Sequence, residues 1–171
     1  MASQPAPRTD VPPARESAAA TVFGRLDEIA RMGDAALANG AGPLSDELLG
    51  IGETVLEAWL ASKGEAGQGR QADIRPVEGF RLLGLHRAGA RGDPSFNACR
   101  ETCRELVFRT NCARLGDDEN EVAKQLRLAA MVARHLLLFI DGKLENAGMG
   151  EFCCSSKSLR TRDVVLPVPV K

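Results

Sequence analysis

Between Gly116 and Gly148 apolar residues recur every three or four positions: Val122, Leu126, Ala129, Ala133, Leu136, Leu137 and Ile140, with Leu128, Val132 and Phe139 widening the face. That spacing is the signature of a helix. A helix apolar over so much of its surface belongs at the centre of other helices rather than on their outside. Asp117, Asp118 and Glu119 stand at its start, where acids favour the positive end of the helix dipole. Whatever else the chain does, it must wrap other elements around this one.

Composition agrees with that demand. Aromatic residues make up 4%, with no Tyr and one Trp, so the core is built from Leu, Val, Ile and Ala. Such a core suits helix-on-helix packing better than a β-sandwich. A length of 171 residues favours one domain.

Four further helices can be read upstream. Val22, Leu26, Ile29, Gly33 and Ala36 share one face of the first, which Asn39-Gly40 stops. Leu44 before Ser45 has the form of a hydrophobic staple and N-cap for the second, with Leu48, Ile51, Val55 and Trp59 as its buried stripe and Gly64 as its end. Gly64 to Asp73 is a polar linker without periodicity. Pro76 suits the first turn of a third helix burying Val77, Phe80 and Leu83, which breaks down around Gly89 and Gly92. Asp93-Pro94 restarts the chain as a cap and first-turn proline, and the fourth helix runs to Gly116.

The expected fold is therefore all-α, a single bundle of about five helices. Residues 1–15 hold four prolines and little to bury, which reads as a disordered arm; residues 16–150 form the bundle, and 151–171 an irregular tail. In that tail Val164-Val165-Leu166-Pro167-Val168-Pro169-Val170 reads as extended, because each proline disfavours helix in the residue before it.

The net charge of −1 argues against a general affinity for nucleic acid, and no aromatic platform for stacking bases is present. The charge is unevenly spread. Residues 1–69 carry a balance of −5, residues 70–114 a balance of +4, and the cations of that basic block are all arginine. Arginine is the residue suited to bidentate contact with carboxylate or phosphate. The N-terminus has no apolar signal segment, and no apolar run approaches the ~18 residues of a membrane span. A cytoplasmic protein with reduced thiols is the expectation.

Two regions could carry chemistry. Cys99 and Cys103 project from one face on consecutive turns of the fourth helix, and thiolates so placed could bind a soft metal ion such as Zn, Cu or Fe. Cys153, Cys154 and His135 are the candidates to complete that site. The competing reading is packing: Phe96, Cys99, Cys103, Leu106, Thr110 and Ala113 form an unbroken stripe, where a free cysteine behaves as a small hydrophobe. Cys112 lies about 180° around the helix from Cys103 and cannot join them. Lys157, Arg160 and Arg162 flank the vicinal pair Cys153-Cys154 and would favour its thiolates.

The second region is the junction from Leu85 to Ser95. His86, Arg87, Arg91 and Ser95 lead into a helix N-terminus, an arrangement that can hold a phosphate or carboxylate. Against it, Asp93 could occupy that N-terminus as the cap. Arg100, Glu101, Arg104, Glu105 and Arg109 alternate in sign, the pattern of a solvated helix face. No Ser-His-Asp order, HExxH, phosphate-binding loop or inward Glu-x-x-His pair is present, so the case for an enzyme is poor. The leading expectation is a cytosolic accessory or regulatory protein that acts by binding another protein. The alternative is a thiol protein that binds a soft metal or senses redox state.

Overall fold

The computed structural model describes residues 13–63, 74–91 and 93–145. The linker expected at Gly64 to Asp73, most of the N-terminal arm and the C-terminal tail lie outside the described residues. Among the described residues the protein is all-α: six α-helices and one short 3-10 segment, with no strand. We label them α1 (Pro13–Arg31), α2 (Asp34–Asn39), α3 (Ala41–Ser62), α4 (Arg81–Gly89), α5 (Arg100–Leu115) and α6 (Glu119–Glu145); the 3-10 segment Pro94–Cys99 leads directly into α5. None of these helices is long and apolar enough to cross a membrane.

Helix α6 is the axis of the bundle, packed by α1, α2, α3 and α5. All seven positions of its apolar stripe, Val122 through Ile140, are buried, as is Phe139. They meet Leu26 and Ile29 of α1, Leu37 of α2, Leu48, Val55 and Leu56 of α3, and Leu106 and Val107 of α5 in one core. Asp118 caps the helix, its carboxylate accepting from the Glu121 backbone N–H at 2.8 Å.

Where the helices begin and end, tertiary contacts decide. The first helix does not run through Ala36. It stops at Arg31, Gly33 is extended, and the short α2 follows. Arg127 of α6 reaches into this corner, donating to the Met32 carbonyl at 2.8 Å and to Asp34 at 2.5 Å. A carbonyl freed by the helix end is thus satisfied from another element.

Ser45 is not an N-cap. Helix α3 starts at Ala41, and Ser45 is buried within it, its hydroxyl donating to the Thr110 carbonyl of α5 at 3.3 Å. Pro43 is tolerated because the first N–H groups of a helix lack an internal partner anyway.

Pro76 does not open a helix either. Val77 and Phe80 exchange backbone hydrogen bonds of 3.0 and 2.9 Å across a tight turn. Its central residues, Glu78 (φ 54°) and Gly79 (φ 85°), are both in the left-handed region. This is the turn geometry that a helix cannot absorb, so α4 begins only at Arg81.

Arg81 then ties α4 to α3 through Glu57 at 2.7 Å and Glu53 at 3.6 Å. The incoming chain crosses α4 so closely that a Cβ on Gly84 would lie 2.4 Å from the Arg75 carbonyl oxygen. Gly84→Ala should therefore cost about 2 kcal/mol or more, because backbone rather than a flexible side chain must yield. Urea unfolding of the variant measures it, and a midpoint equal to that of the parent protein would contradict the close approach.

Candidate functional site: an arginine-lined cleft between α4 and α5

The end of α4 and the start of α5 converge on a cleft of about 380 Å³. Arg87 and Arg91, four residues apart, come from the α4 side; Arg100 and Arg104, also four apart, come from α5. Val77, Leu83 and Ala90 supply apolar lining, and Asn97 and His86 add polar groups. Residues four apart on a helix share a face, so Arg100 and Arg104 reach the cleft from one side of α5, while Arg91 reaches it from the turn that follows α4.

The electrostatics of the cleft set it apart from the rest of the described surface. Seven arginines there have a carboxylate partner: Arg25, Arg31, Arg81, Arg109, Arg114, Arg127 and Arg134. Arg104, which also lines the cleft, is compensated by Glu78 of the cleft at 2.9 Å and by Glu101, outside it, at 3.6 Å. Arg87, Arg91 and Arg100 are exposed and have no carboxylate partner among the described residues, and all three line this one cleft. Among the arginines whose side chains are described, Arg75 is the other in that condition, and it does not line the cleft.

The acid nearest to Arg91 in sequence is engaged elsewhere. Asp93, two residues beyond Arg91, makes no side-chain cap to the helix it precedes. Its carboxylate is held by Lys143 of α6 at 3.1 and 3.4 Å and by Lys63, just past α3, at 3.7 Å. The Lys143 side chain is only 5% exposed and lies beside three rings: Trp59 at 5.3 Å, Phe96 and Phe139 each at 5.8 Å. Two ammonium groups, from Lys63 and Lys143, thus engage the carboxylate that lies two residues beyond Arg91.

His86 forms the inner boundary of the cleft. It is buried, stacked on Phe96 with centroids 5.4 Å apart, and its Nε2 is 3.1 Å from the Phe96 carbonyl oxygen. A carbonyl only accepts, so Nε2 carries the hydrogen and donates. Trp59 stacks against Phe96 as well, with centroids 5.4 Å apart. An aromatic stack therefore connects the cleft to the Lys143–Asp93 pair.

The thiols lie in the core beneath. Cys99 and Cys103 are buried, and the Cys99 thiol donates to the same Phe96 carbonyl at 3.1 Å. Hydrogen bonding with Cys103, followed by burial, pushes the Cys99 thiol well above the ordinary thiol range, against a smaller opposing effect of His86. Every member of the stripe from Phe96 to Ala113 is buried, so packing is the role the structure displays. Peptide-resolved alkylation of the native protein should leave Cys99 and Cys103 unmodified while the half-buried Cys112 reacts. Rapid native modification of Cys99 would contradict this.

Of the expected metal donors, the structure brings Cys99 and Cys103 together with His86, not with His135. His135 is exposed, on an outer groove between α5 and α6 shared with Glu101, Glu105 and Met131. No three His, Cys, Asp or Glu side chains are placed to hold a metal ion among the described residues. Cys153 and Cys154 lie outside them.

Of the expected anion donors, His86, Arg87 and Arg91 do share one cleft. Ser95 sits in the 3-10 segment, and its side chain is outside the described residues. Arg100 and Arg104 were legible only as a solvated, alternating face. Their four-residue spacing was the available signal, but it becomes a cleft side only once α4 packs alongside. Compared with known protein families, with curated proteins and with solved structures, the chain gives no match.

Proposed function

We propose that this protein is an accessory or regulatory protein that acts by binding another protein, and that the α4–α5 cleft receives an acidic segment of that partner. The observation that carries this reading is the set of three arginines, Arg87, Arg91 and Arg100, left without carboxylate partners in one concave site. Holding like charges together is unfavourable unless an opposite charge arrives. The cleft also has apolar lining in Val77, Leu83 and Ala90, on which the aliphatic part of a peptide can rest. Reduced thiols suit a cytoplasmic setting for this work.

The test is titration of a fluorescent oligoglutamate peptide with the full chain at low salt. Arg91→Glu and Arg100→Glu should each weaken binding at least ~10-fold, since each removes a charge-assisted contact and adds a repulsion. Arg75→Glu makes the same change in net charge outside the cleft and should stay within about twofold. No binding by the parent protein, or an equal loss in Arg75→Glu, would overturn the reading.

A further inference from the structure

We propose that the anion recognised in the α4–α5 cleft is a phosphoryl group carried by a side chain of the partner segment, with Arg87, Arg91 and Arg100 as its ligands. This rests on the reading of the cleft as a binding site for an acidic protein segment, and narrows it to one chemistry.

The argument begins with charge. Arg104 is already balanced by Glu78 and Glu101, which leaves three uncompensated guanidinium groups. A carboxylate brings one negative charge and two oxygens in one plane, and one bidentate guanidinium already balances that charge. Seating a single carboxylate here would leave two of the three positive charges in the cleft uncompensated. A phosphoryl group brings about −1.5 to −2 charge and three terminal oxygens, enough to accept from several arginines at once.

The second point is the direction of approach. Arg87 comes from α4, Arg91 from the turn just after it and Arg100 from the start of α5, so the anion is addressed from two sides. A compact group with oxygens disposed around one atom meets that arrangement better than a flat carboxylate.

The third point is the treatment of Asp93. A carboxylate two residues from Arg91 is at hand, yet it is held on the core side by Lys63 and Lys143. The cleft therefore keeps its charge available for an outside ligand.

The lining also sets the carrier. No aromatic ring lines the cleft except the imidazole of His86, which is stacked on Phe96, so a nucleobase has no platform there. Val77, Leu83 and Ala90 offer instead a small apolar surface of the size a peptide segment covers.

The experiment compares three short fluorescent peptides of identical sequence, carrying phosphoserine, glutamate or serine at one position, titrated into the full chain at moderate salt. The phosphoserine peptide should bind at least ~10-fold more tightly than the glutamate peptide, and inorganic phosphate should compete for it. Arg87→Glu and Arg100→Glu should abolish the preference, whereas Arg75→Glu should retain it. Phosphoserine and glutamate peptides binding within about twofold of each other would overturn the phosphoryl assignment and leave the acidic-segment reading standing. Absence of binding by either peptide would overturn both. Vesicles containing phosphatidic acid that outcompete the phosphoserine peptide would move the phosphoryl group to a lipid and overturn its assignment to a protein segment.

Discussion

Asp93→Ala is expected to lower the unfolding free energy by about 3 kcal/mol, the low end of what removing one member of a buried ion pair costs. The low end applies because the Asp93 side chain is 18% exposed and Lys63 has access to water. The loss falls mainly on Lys143, whose ammonium sits at 5% exposure among Trp59, Phe96 and Phe139. Cation–π contact offsets part of its desolvation, but each ring interaction contributes only about 0.5–2 kcal/mol.

Lys143→Met should be milder than Asp93→Ala. It removes the buried charge together with its partner's bond, fills the space with a flexible apolar chain, and leaves Asp93 beside Lys63. Urea unfolding of the two variants checks the order. A milder effect for Asp93→Ala would mean that the lysines, not the carboxylate, hold this end of the bundle.

The second large effect is expected at Leu136. It is fully buried at a level where α3 packs closely on the core: a Cβ on Gly52 would lie 2.9 Å from Leu82, 3.1 Å from Leu106 and 3.5 Å from Leu136. Side chains from α4, α5 and α6 therefore meet over a glycine of α3, and deleting one leaves a cavity that rigid helices cannot close. Leu136→Ala should cost about 3–4 kcal/mol. Leu138, two residues on and 55% exposed, is the internal comparison, and its alanine variant should stay within about 0.5 kcal/mol. Similar losses at the two positions would contradict the assignment of the buried face of α6.

The face of α6 was readable from the chain because its apolar period is long and its seven stripe positions all point the same way. The stripe of α5 from Phe96 to Ala113 was readable for the same reason, and it placed Cys99 and Cys103 in the core. What escaped were features set by distant residues. The break after Arg31 depends on Arg127, whose guanidinium reaches Met32 and Asp34 from α6.

Ser45 has the chemistry of a cap, but α5 passes beside it and takes its hydroxyl. Asp93 likewise reads as a cap before Pro94, yet its carboxylate pairs with Lys143 of α6 and with Lys63 just past α3. The turn at Glu78-Gly79 had only one local signal, its glycine.

Half of the candidate site was visible for a similar reason. Arg87 and Arg91 lie in a glycine-containing junction that stands out in the chain. Arg100 and Arg104 lie in a run of alternating charge that is ordinary for an exposed helix. Whether such an arginine is balanced depends on which acids packing brings near. Arg104 finds Glu78 across the turn, while Arg100 finds none among the described residues.

The most direct test of the central claim is backbone amide NMR of the full chain titrated with the oligoglutamate peptide, which locates the contact as well as detecting it. The account predicts shift changes concentrated at Arg87, Ala90, Arg91, Asn97 and Arg100, growing with peptide and weakening with added salt. Changes centred instead on Met131, Val132 and His135, in the outer groove of α5 and α6, would contradict it.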